Sequence, residues 1–188
     1  MADPAEIIER YAYSDYEKWP EDFRCELIDG VIYMMSSPSA WHQDLVGMLY
    51  IQLSNFLKGK KCKVMLSPFD VRLFPKEDNS DSNILIPDLI VVCDRKKLSD
   101  GKACRGAPDF VIEILSKSTE KRDLVAKKFL YAKAGVNECW FINRELVLKN
   151  ILANDTYTES TFHYLFDNKP LPVDTLPGCE LNIPVLED

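Results

Sequence analysis

The sequence lacks any apolar run long enough to cross a bilayer. The longest, from Ile84 to Cys93, carries Asp88 in its middle, whereas a membrane-spanning helix needs about 20 consecutive apolar residues. The N-terminus is acidic and has neither the basic start nor the apolar stretch of a secretory signal. We therefore expect a cytoplasmic protein.

Paired cysteine motifs are also absent. No C-x-x-C pair occurs, which excludes a zinc ribbon or a thioredoxin-type motif. Several cysteines lie in apolar segments, where a free thiol packs like a small hydrophobic side chain. The pattern favours reduced thiols in a reducing compartment. The six cysteines are at positions 25, 62, 93, 104, 139 and 179.

No internal repeat or low-complexity segment divides the chain. Its 188 residues, 46% hydrophobic and 28% charged, are typical of one globular domain with a sizeable core. We expect a single domain over 1–188, in which 1–24 form a helical approach and 154–188 a strand and loop extension that covers one edge.

The net charge of −7 argues against a nucleic-acid partner, but its distribution does not. Residues 58–135 hold 17 Lys and Arg against 11 Asp and Glu, a net of +6, and the rest of the chain has a net of −13. Local field matters more than the total for an anionic partner. The alternative is that these lysines only solvate an ordinary surface.

Hydrophobic periodicity and turn residues predict an α/β arrangement with one mixed sheet flanked by helices. Asp29-Gly30 indicates a tight hairpin or a bulge, and Ser37 or Ser39 can cap the first long helix. Residues 94–107 read as a basic loop. The pattern predicts helices over 40–57 and 119–134, the second capped by Ser118 or Thr119. It predicts strands over 64–74 (broken or bent at Pro68), 84–93 (with an edge, a bulge or a local opening of the ladder at Pro87), 109–115, 138–143 and 145–153.

Two predicted buried strands each contain a carboxylate, Asp88 and Glu113. Burying even a neutral polar group without a partner costs roughly 2–7 kcal/mol, so the two residues need a common explanation. A shared divalent cation is the simplest, and it predicts nearest carboxylate oxygens roughly 3–5 Å apart on adjacent strands. The alternatives are that Asp88 is a turn residue and that Glu113 belongs to a buried ion pair.

The second predicted helix carries Asp123, Lys127 and Tyr131 at i, i+4 and i+8, on one stripe. Lys127 is thus the ion-pair candidate for Glu113. The adjacent Lys128 points about 100° around the helix.

Six segments in this order resemble the Uma family of restriction-type endonucleases within the PD-(D/E)XK nuclease superfamily. They are ELIDG (26–30), SPSAWH (37–42), IPDLIVV (86–92), VIEILSKST (111–119), the D-x-x-x-K-x-x-x-Y pattern (123–131) and AGVNECWFIN (134–143). The resemblance implies a restriction-endonuclease-like core and Mg²⁺-dependent hydrolysis of DNA, with Mn²⁺ as a possible substitute.

By the same resemblance, Asp88, Glu113 and the backbone carbonyl of Ile114 would hold the cation. The superfamily places lysine two residues after the second carboxylate, where this sequence has Leu115. In the family the following helix is thought to supply that lysine. The matching position is Lys127, and Lys128 is the alternative.

Three further residues fit supporting roles. Glu26 would be an added ligand or would hold Lys127, His42 would line the site, and Tyr131 would pack beside it. Structural roles are the alternative for all three.

A catalytically silent nucleic-acid-binding or assembly module with the same fold is the main alternative function. An enzyme acting on another phosphoester is a further one. A homodimer is expected as well, because restriction-type nucleases that cut both strands usually act as symmetric pairs.

Overall fold

The computed structural model describes residues 9–20, 22–116, 120 and 123–186, with the backbone alone at Asp123. Its helices are α1 (Tyr13–Tyr16), α2 (Ala40–Leu57) and α3, in which a π-helical turn (Asp123–Lys127) continues into Lys128–Ala134. Its strands are β1 (Cys25–Ile28), β2 (Val31–Met34), β3 (Lys63–Leu66), β4 (Asp70–Arg72), β5 (Ile84–Leu85), β6 (Leu89–Val92), β7 (Ala103–Arg105), β8 (Phe110–Ile114), β9 (Glu138–Ile142), β10 (Leu146–Ala153), β11 (Thr156–Tyr164), β12 (Leu171–Pro172) and β13 (Glu180–Leu181).

The expected mixed sheet is present as a six-stranded sheet, in the order β11-β10-β9-β8-β6-β3. Strands β8 and β9 pair in parallel, and the other neighbours are antiparallel. A second sheet, β2-β1-β5-β4-β7, lies beside it, and β12 pairs with β13. The α/β class predicted from the sequence is confirmed, with two main sheets instead of one.

Alternating side chains give the six-stranded sheet two buried faces. Leu89, Val91 and Ile112 pack in one cluster with the apolar side of α2. Ile90 and Val111 lie in the other cluster, together with residues of α3. The sheet is therefore the middle layer between α2 and α3.

Two segments predicted as single strands are each divided between the sheets. The 84–93 segment is interrupted at Ile86–Asp88, so that β5 joins the smaller sheet and β6 the larger. Pro87 has no N–H to donate to a ladder, which explains the break. The 64–74 segment divides in the same way between β3 and β4, across a cis Ser67–Pro68 bond.

Other local predictions meet mixed outcomes. The helix over Ala40–Leu57 is as expected, and the Ser39 hydroxyl caps it by accepting from the His42 N–H at 3.2 Å. The predicted loop at 94–107 contains β7, which pairs in parallel with β4. The proposed caps Ser118 and Thr119 lie outside the described residues. No described helix has the length and apolarity to cross a membrane.

The C-terminal extension adds a strand as well as a cover. β11 pairs along β10 and becomes the end strand of the larger sheet. Beyond it, Leu171, Val173 and Leu181 pack into the cluster that contains α2. The extension therefore widens the sheet and also covers its α2 face.

Reduced cysteines were expected, but Cys62 and Cys93 form a disulfide, with Cα atoms 3.9 Å apart. The cause is strand register: Lys63 pairs with Val92, so the next residues outward on β3 and β6 lie opposite each other. The sequence could not show this proximity because 31 residues separate the two cysteines. The remaining cysteines, at positions 25, 104, 139 and 179, are free and buried.

The β1–β2 turn generates a stability prediction. Gly30 has φ +79°, and a Cβ there would lie 2.9 Å from the Tyr11 carbonyl oxygen. Gly59 has a similar φ of +76°, but a Cβ there would meet open space. Gly59→Ala should lower the free energy of unfolding by about 1–2 kcal/mol through backbone strain alone. Gly30→Ala should add a clash of about 1–3 kcal/mol. Equal losses for the two variants in urea unfolding would contradict this packing.

Candidate functional site

The interruption between β5 and β6 connects the two sheets beside a buried carboxylate. Glu26, on β1 of the smaller sheet, accepts a hydrogen bond from the Ile86 N–H at 2.9 Å. Ile86 has left the β5 ladder because Pro87 follows it, so its amide is available to a side chain. The opening of the ladder at Pro87 thus helps to hold Glu26 in place.

Glu26 and Glu113 share the ammonium group of Lys127. Lys127 Nζ lies 2.9 Å from Glu26 Oε1 and 3.0 Å from Glu113 Oε1. All three residues are at most 4% exposed. The contact joins one strand from each sheet to helix α3. Removing the ammonium would leave two buried carboxylates without the cation that they share, which is strongly destabilising.

Tyr131, one helical turn after Lys127, contacts the same oxygen of Glu113. Its hydroxyl donates to Glu113 Oε1 at 2.5 Å, and its side chain is fully buried. Burial, followed by the charge of Glu113, raises the pKa of Tyr131 well above its ordinary value. Tyr131 therefore remains a hydrogen-bond donor throughout the physiological pH range and fixes the Glu113 carboxylate.

Asp88 lies at the more open end of the site. Its Oδ2 accepts from the Ile114 N–H at 2.7 Å, and its Oδ1 lies 3.1 Å from His42 Nε2. The side chains of His42 and Asp88 are 16% and 14% exposed. His42 Nδ1 is buried and makes no hydrogen bond to any described atom. His42 thus contacts Asp88 from the first turn of α2.

Strand register brings Asp88 next to Glu113. Leu89 pairs with Ile112 in the antiparallel β6–β8 ladder, so the preceding Asp88 lies across from the following Glu113. The Ile114 N–H points towards Asp88, and in an extended strand the carbonyl of the same residue points to the same edge. Two carboxylates and one carbonyl are the oxygen donors that Mg²⁺ prefers.

These donors fit Mg²⁺ as a partial ligand set. No group of three or more His, Cys, Asp or Glu residues that could hold a metal exists within the described part of the chain. Mg²⁺ commonly binds through one or two carboxylates and completes its coordination with waters and substrate phosphates. Asp88, Glu113 and the Ile114 carbonyl match that pattern, whereas a protein-enclosed metal cage would not.

The alternative lysine lies elsewhere. Lys128 Nζ donates to the Ser160 hydroxyl on β11 at 3.0 Å, at an exposed position. The 100° step between neighbouring helical residues separates its direction from that of Lys127. Of the two, Lys127 contacts the buried carboxylates. The Asp123 side chain of the predicted stripe lies outside the described atoms.

The fold has a counterpart among solved structures. It matches the crystal structure titled as a "putative nuclease belonging to DUF820" from Anabaena variabilis, with a TM-score of 0.73. The match covers 92% of this chain and 95% of that one, at 18% sequence identity. The shared architecture is therefore that of a nuclease-like fold.

The family follows from the sequence match. Residues 13–184 match the family model Uma2, described as "Putative restriction endonuclease", and the chain belongs to this family of restriction-endonuclease-type nucleases. It is also 30% identical over 133 residues to the Synechocystis protein named "Uncharacterized protein slr1290". That match covers 69% of this chain and 66% of the relative. The predicted family is thereby confirmed.

Sequence reasoning missed the backbone donors of the site. The N–H groups of Ile86 and Ile114 contact Glu26 and Asp88, respectively. Every residue except proline carries such a donor, so residue type gives no signal for them. Pro87 indicated a strand edge, a bulge or a local opening of the ladder at this point, but not which side chain the neighbouring amide would contact.

The shared ammonium generates a prediction. Lys127→Met should lower the free energy of unfolding by about 3–5 kcal/mol, because it removes one partner of a buried ion pair. The triple variant Lys127→Met, Glu26→Gln, Glu113→Gln should recover most of that loss because no buried charge of the trio remains. Urea unfolding measures both values.

Lys128→Met is the matched control, since within the described part of the chain its ammonium contacts an exposed hydroxyl and no buried carboxylate. It should change stability by no more than about 0.5 kcal/mol. A loss for Lys127→Met as small as that of the control would show that the shared ammonium contributes little to stability.

Proposed function

We propose that this chain is a Mg²⁺-dependent endonuclease that hydrolyses DNA phosphodiester bonds, and that Mn²⁺ can replace Mg²⁺. The observation that carries the proposal is the contact of Lys127 with Glu113, beside Asp88. The contact supports a catalytic role for a lysine of α3, Lys127, because the usual position of the superfamily's lysine is occupied here by Leu115.

In this proposal Asp88, Glu113 and the Ile114 carbonyl hold the cation. When bound, Mg²⁺ would polarise the phosphate and lower the pKa of a coordinated water. The remaining coordination positions would be left for water and the substrate, as is usual for this ion. The partly exposed Asp88 end gives the direction from which the DNA would arrive.

The chain's own side chains would orient the attacking water and neutralise charge on the phosphate. The Lys127 ammonium would stabilise negative charge that develops on the phosphate and orient the attacking water, an effect that is large where water is excluded. Glu26 positions that ammonium, and Tyr131 holds the Glu113 carboxylate. His42 would orient Asp88 through the Nε2 contact. Lys127 is the proposed catalytic residue, and the other three are positioning residues.

A basic groove supports DNA as the partner. It lies at the C-terminal end of α2, encloses about 760 Å³, and is lined by Lys58, Lys60, Lys63 and Arg95 along with Tyr50. Phosphate contacts by such side chains supply most of the affinity for nucleic acid irrespective of sequence. From His42, near the start of α2, the groove is about 24 Å away along the helix axis, a distance that an extended duplex spans.

One observation favours the catalytically silent module instead. Lys127, Glu113, Glu26 and Tyr131 are at most 4% exposed, so a DNA phosphate has little direct access to the ammonium group. A buried ion pair that only stabilises the fold has the same appearance. Metal binding and cleavage separate the two functions.

Cleavage and metal binding test the proposal together. Mg²⁺ at about 100 times its dissociation constant should stabilise the wild type by about 2.7 kcal/mol, measured as a rise in Tm. Asp88→Asn should abolish that rise and cleavage of plasmid DNA, and so should Glu113→Gln. Lys127→Met should retain the metal-dependent rise but lower cleavage at least about 100-fold, as expected for a group that acts mainly in the transition state.

Lys128→Met is again the control and should cleave like the wild type. Each variant is tested below its own Tm, so that loss of cleavage is not loss of fold. Asp88→Asn avoids the Lys127 ion pairs and keeps the test informative if the Glu113 variant unfolds. A wild type that neither cleaves DNA nor gains stability from Mg²⁺ or Mn²⁺ would establish the silent module.

A further inference from the structure

An apolar surface lies away from the candidate site, at the β11 end of the larger sheet. Its members are large hydrophobic side chains that a soluble chain usually buries. We call it the β11–α3 surface; it consists of Phe162 (62% exposed), Tyr164 (49%), Phe166 (75%), Val125 (68%) and Phe129 (65%).

These side chains lie on one side of the molecule. Phe162 pairs with Leu148 and Tyr164 with Leu146, and both leucines pack in the cluster that contains α3. Paired residues in an antiparallel ladder point to the same face. Phe162 and Tyr164 therefore share the face on which α3 lies.

Helix α3 is in direct contact with this part of β11. Lys128 Nζ donates to Ser160 Oγ, and the exposed Val125 and Phe129 are one turn apart on the same helix. The Tyr164 and Phe166 rings are stacked with centroids 5.3 Å apart. The strand and the helix thus contribute to one connected surface.

The outer edge of β11 is open as well. β11 is a nine-residue end strand, and no strand in the described part of the chain pairs with its outer side. Its sequence, TYTESTFHY, contains no proline, lysine or glycine. Native proteins usually protect an exposed edge with a charge, a proline or a bulge to prevent pairing with another chain. The bulge in this hairpin is on β11 itself, at Tyr157–Thr158, where two residues face Leu152 alone. It lies near the start of the strand and leaves the aromatic end, Phe162–Tyr164, unprotected.

We propose that a second copy of this chain covers the β11–α3 surface, with β11 pairing antiparallel to β11 of its partner across a two-fold axis. A strand paired with itself in this way is self-complementary by construction, as a two-fold interface requires. With the axis at Phe162, the paired segment is Ser160–Tyr164 of both copies, which leaves out the bulge and the strand's single acidic residue, Glu159. The two α3 helices then lie on the same face of one continuous sheet.

The surface is large enough for a stable dimer. A fully exposed aromatic side chain contributes roughly 150–250 Å², so the four aromatic members give roughly 500 Å², and Val125 brings the exposed apolar area to roughly 600 Å² per protomer. Complete coverage of these side chains in both copies would bury roughly 1,200 Å². A specific interface buries about 1,200–2,000 Å² in total, and the strand backbone adds to the sum.

This proposal does not rest on nuclease activity, and its test does not need DNA. Sedimentation of the wild type at micromolar concentration should give a dimer. The double variant Phe162→Glu, Phe129→Asp should raise the dimer dissociation constant at least about 100-fold, because it places charges in the desolvated centre of the interface. A wild type that remains monomeric up to about 100 μM, or a double variant that dimerises like the wild type, would overturn the proposal.

Ile51→Glu is the matched control. Ile51 is 59% exposed but belongs to α2, on the opposite face of the sheet. This variant should remain dimeric, and its dissociation would place the interface on α2 instead. Circular dichroism and Tm verify that each variant is folded.

Hydrogen exchange distinguishes strand pairing from helix packing. In the monomer, alternate N–H groups of β11 point outward and exchange rapidly. In the proposed dimer these amides are protected, and the double variant should lose that protection while the amides paired to β10 keep theirs. If the outward amides of the dimer exchange as fast as those of the double variant, the two copies do not pair through β11. A chain that is otherwise monomeric and binds the strand of a different protein would also contradict the proposal.

Discussion

The Lys127 ammonium, shared by Glu26 and Glu113, is the contact on which the rest of the site depends. Glu26 belongs to the smaller sheet, Glu113 to the larger one, and Lys127 to α3. Each carboxylate would be costly to bury alone. One cation therefore fixes the relative positions of three elements, and Tyr131 and the Ile86 amide hold the carboxylates from other directions.

The site has a closed end and a more open end, and they suit different tasks. At the closed end, exclusion of water strengthens the interactions of Lys127 with its carboxylates. At the open end, Asp88 contacts His42 and the Ile114 amide and is partly accessible. A cation between Asp88 and Glu113 would lie where the two ends meet. Binding of a cation between Asp88 and Glu113 would thus require little movement of the chain. Reaction of a substrate would in addition require access to the Lys127 ammonium.

The sequence predicted best the features that depend on neighbouring residues. The hairpin at Asp29-Gly30 and the helix over Ala40–Leu57 follow from turn chemistry and periodicity, and both are present. The division of 84–93 between two sheets was missed because β5 obtains its partners from β1 and β4, distant in sequence. The disulfide between Cys62 and Cys93 depends on strand register in the same way. The helical spacing of Lys127 and Tyr131 predicted that they share one side of the helix, and Glu26 was a candidate to hold Lys127. That Tyr131 and Lys127 contact the same oxygen of Glu113 is visible only in the folded chain.

The central claim is that Asp88 and Glu113 together hold a catalytic cation beside Lys127. Anomalous diffraction from crystals soaked in Mn²⁺ tests it most directly, because the signal locates the ion without assuming its ligands. We expect a peak about 2.0–2.3 Å from one oxygen of each carboxylate and from the Ile114 carbonyl oxygen, distances typical of small divalent cations. No peak there at saturating Mn²⁺, or a peak at a different set of ligands, would contradict it.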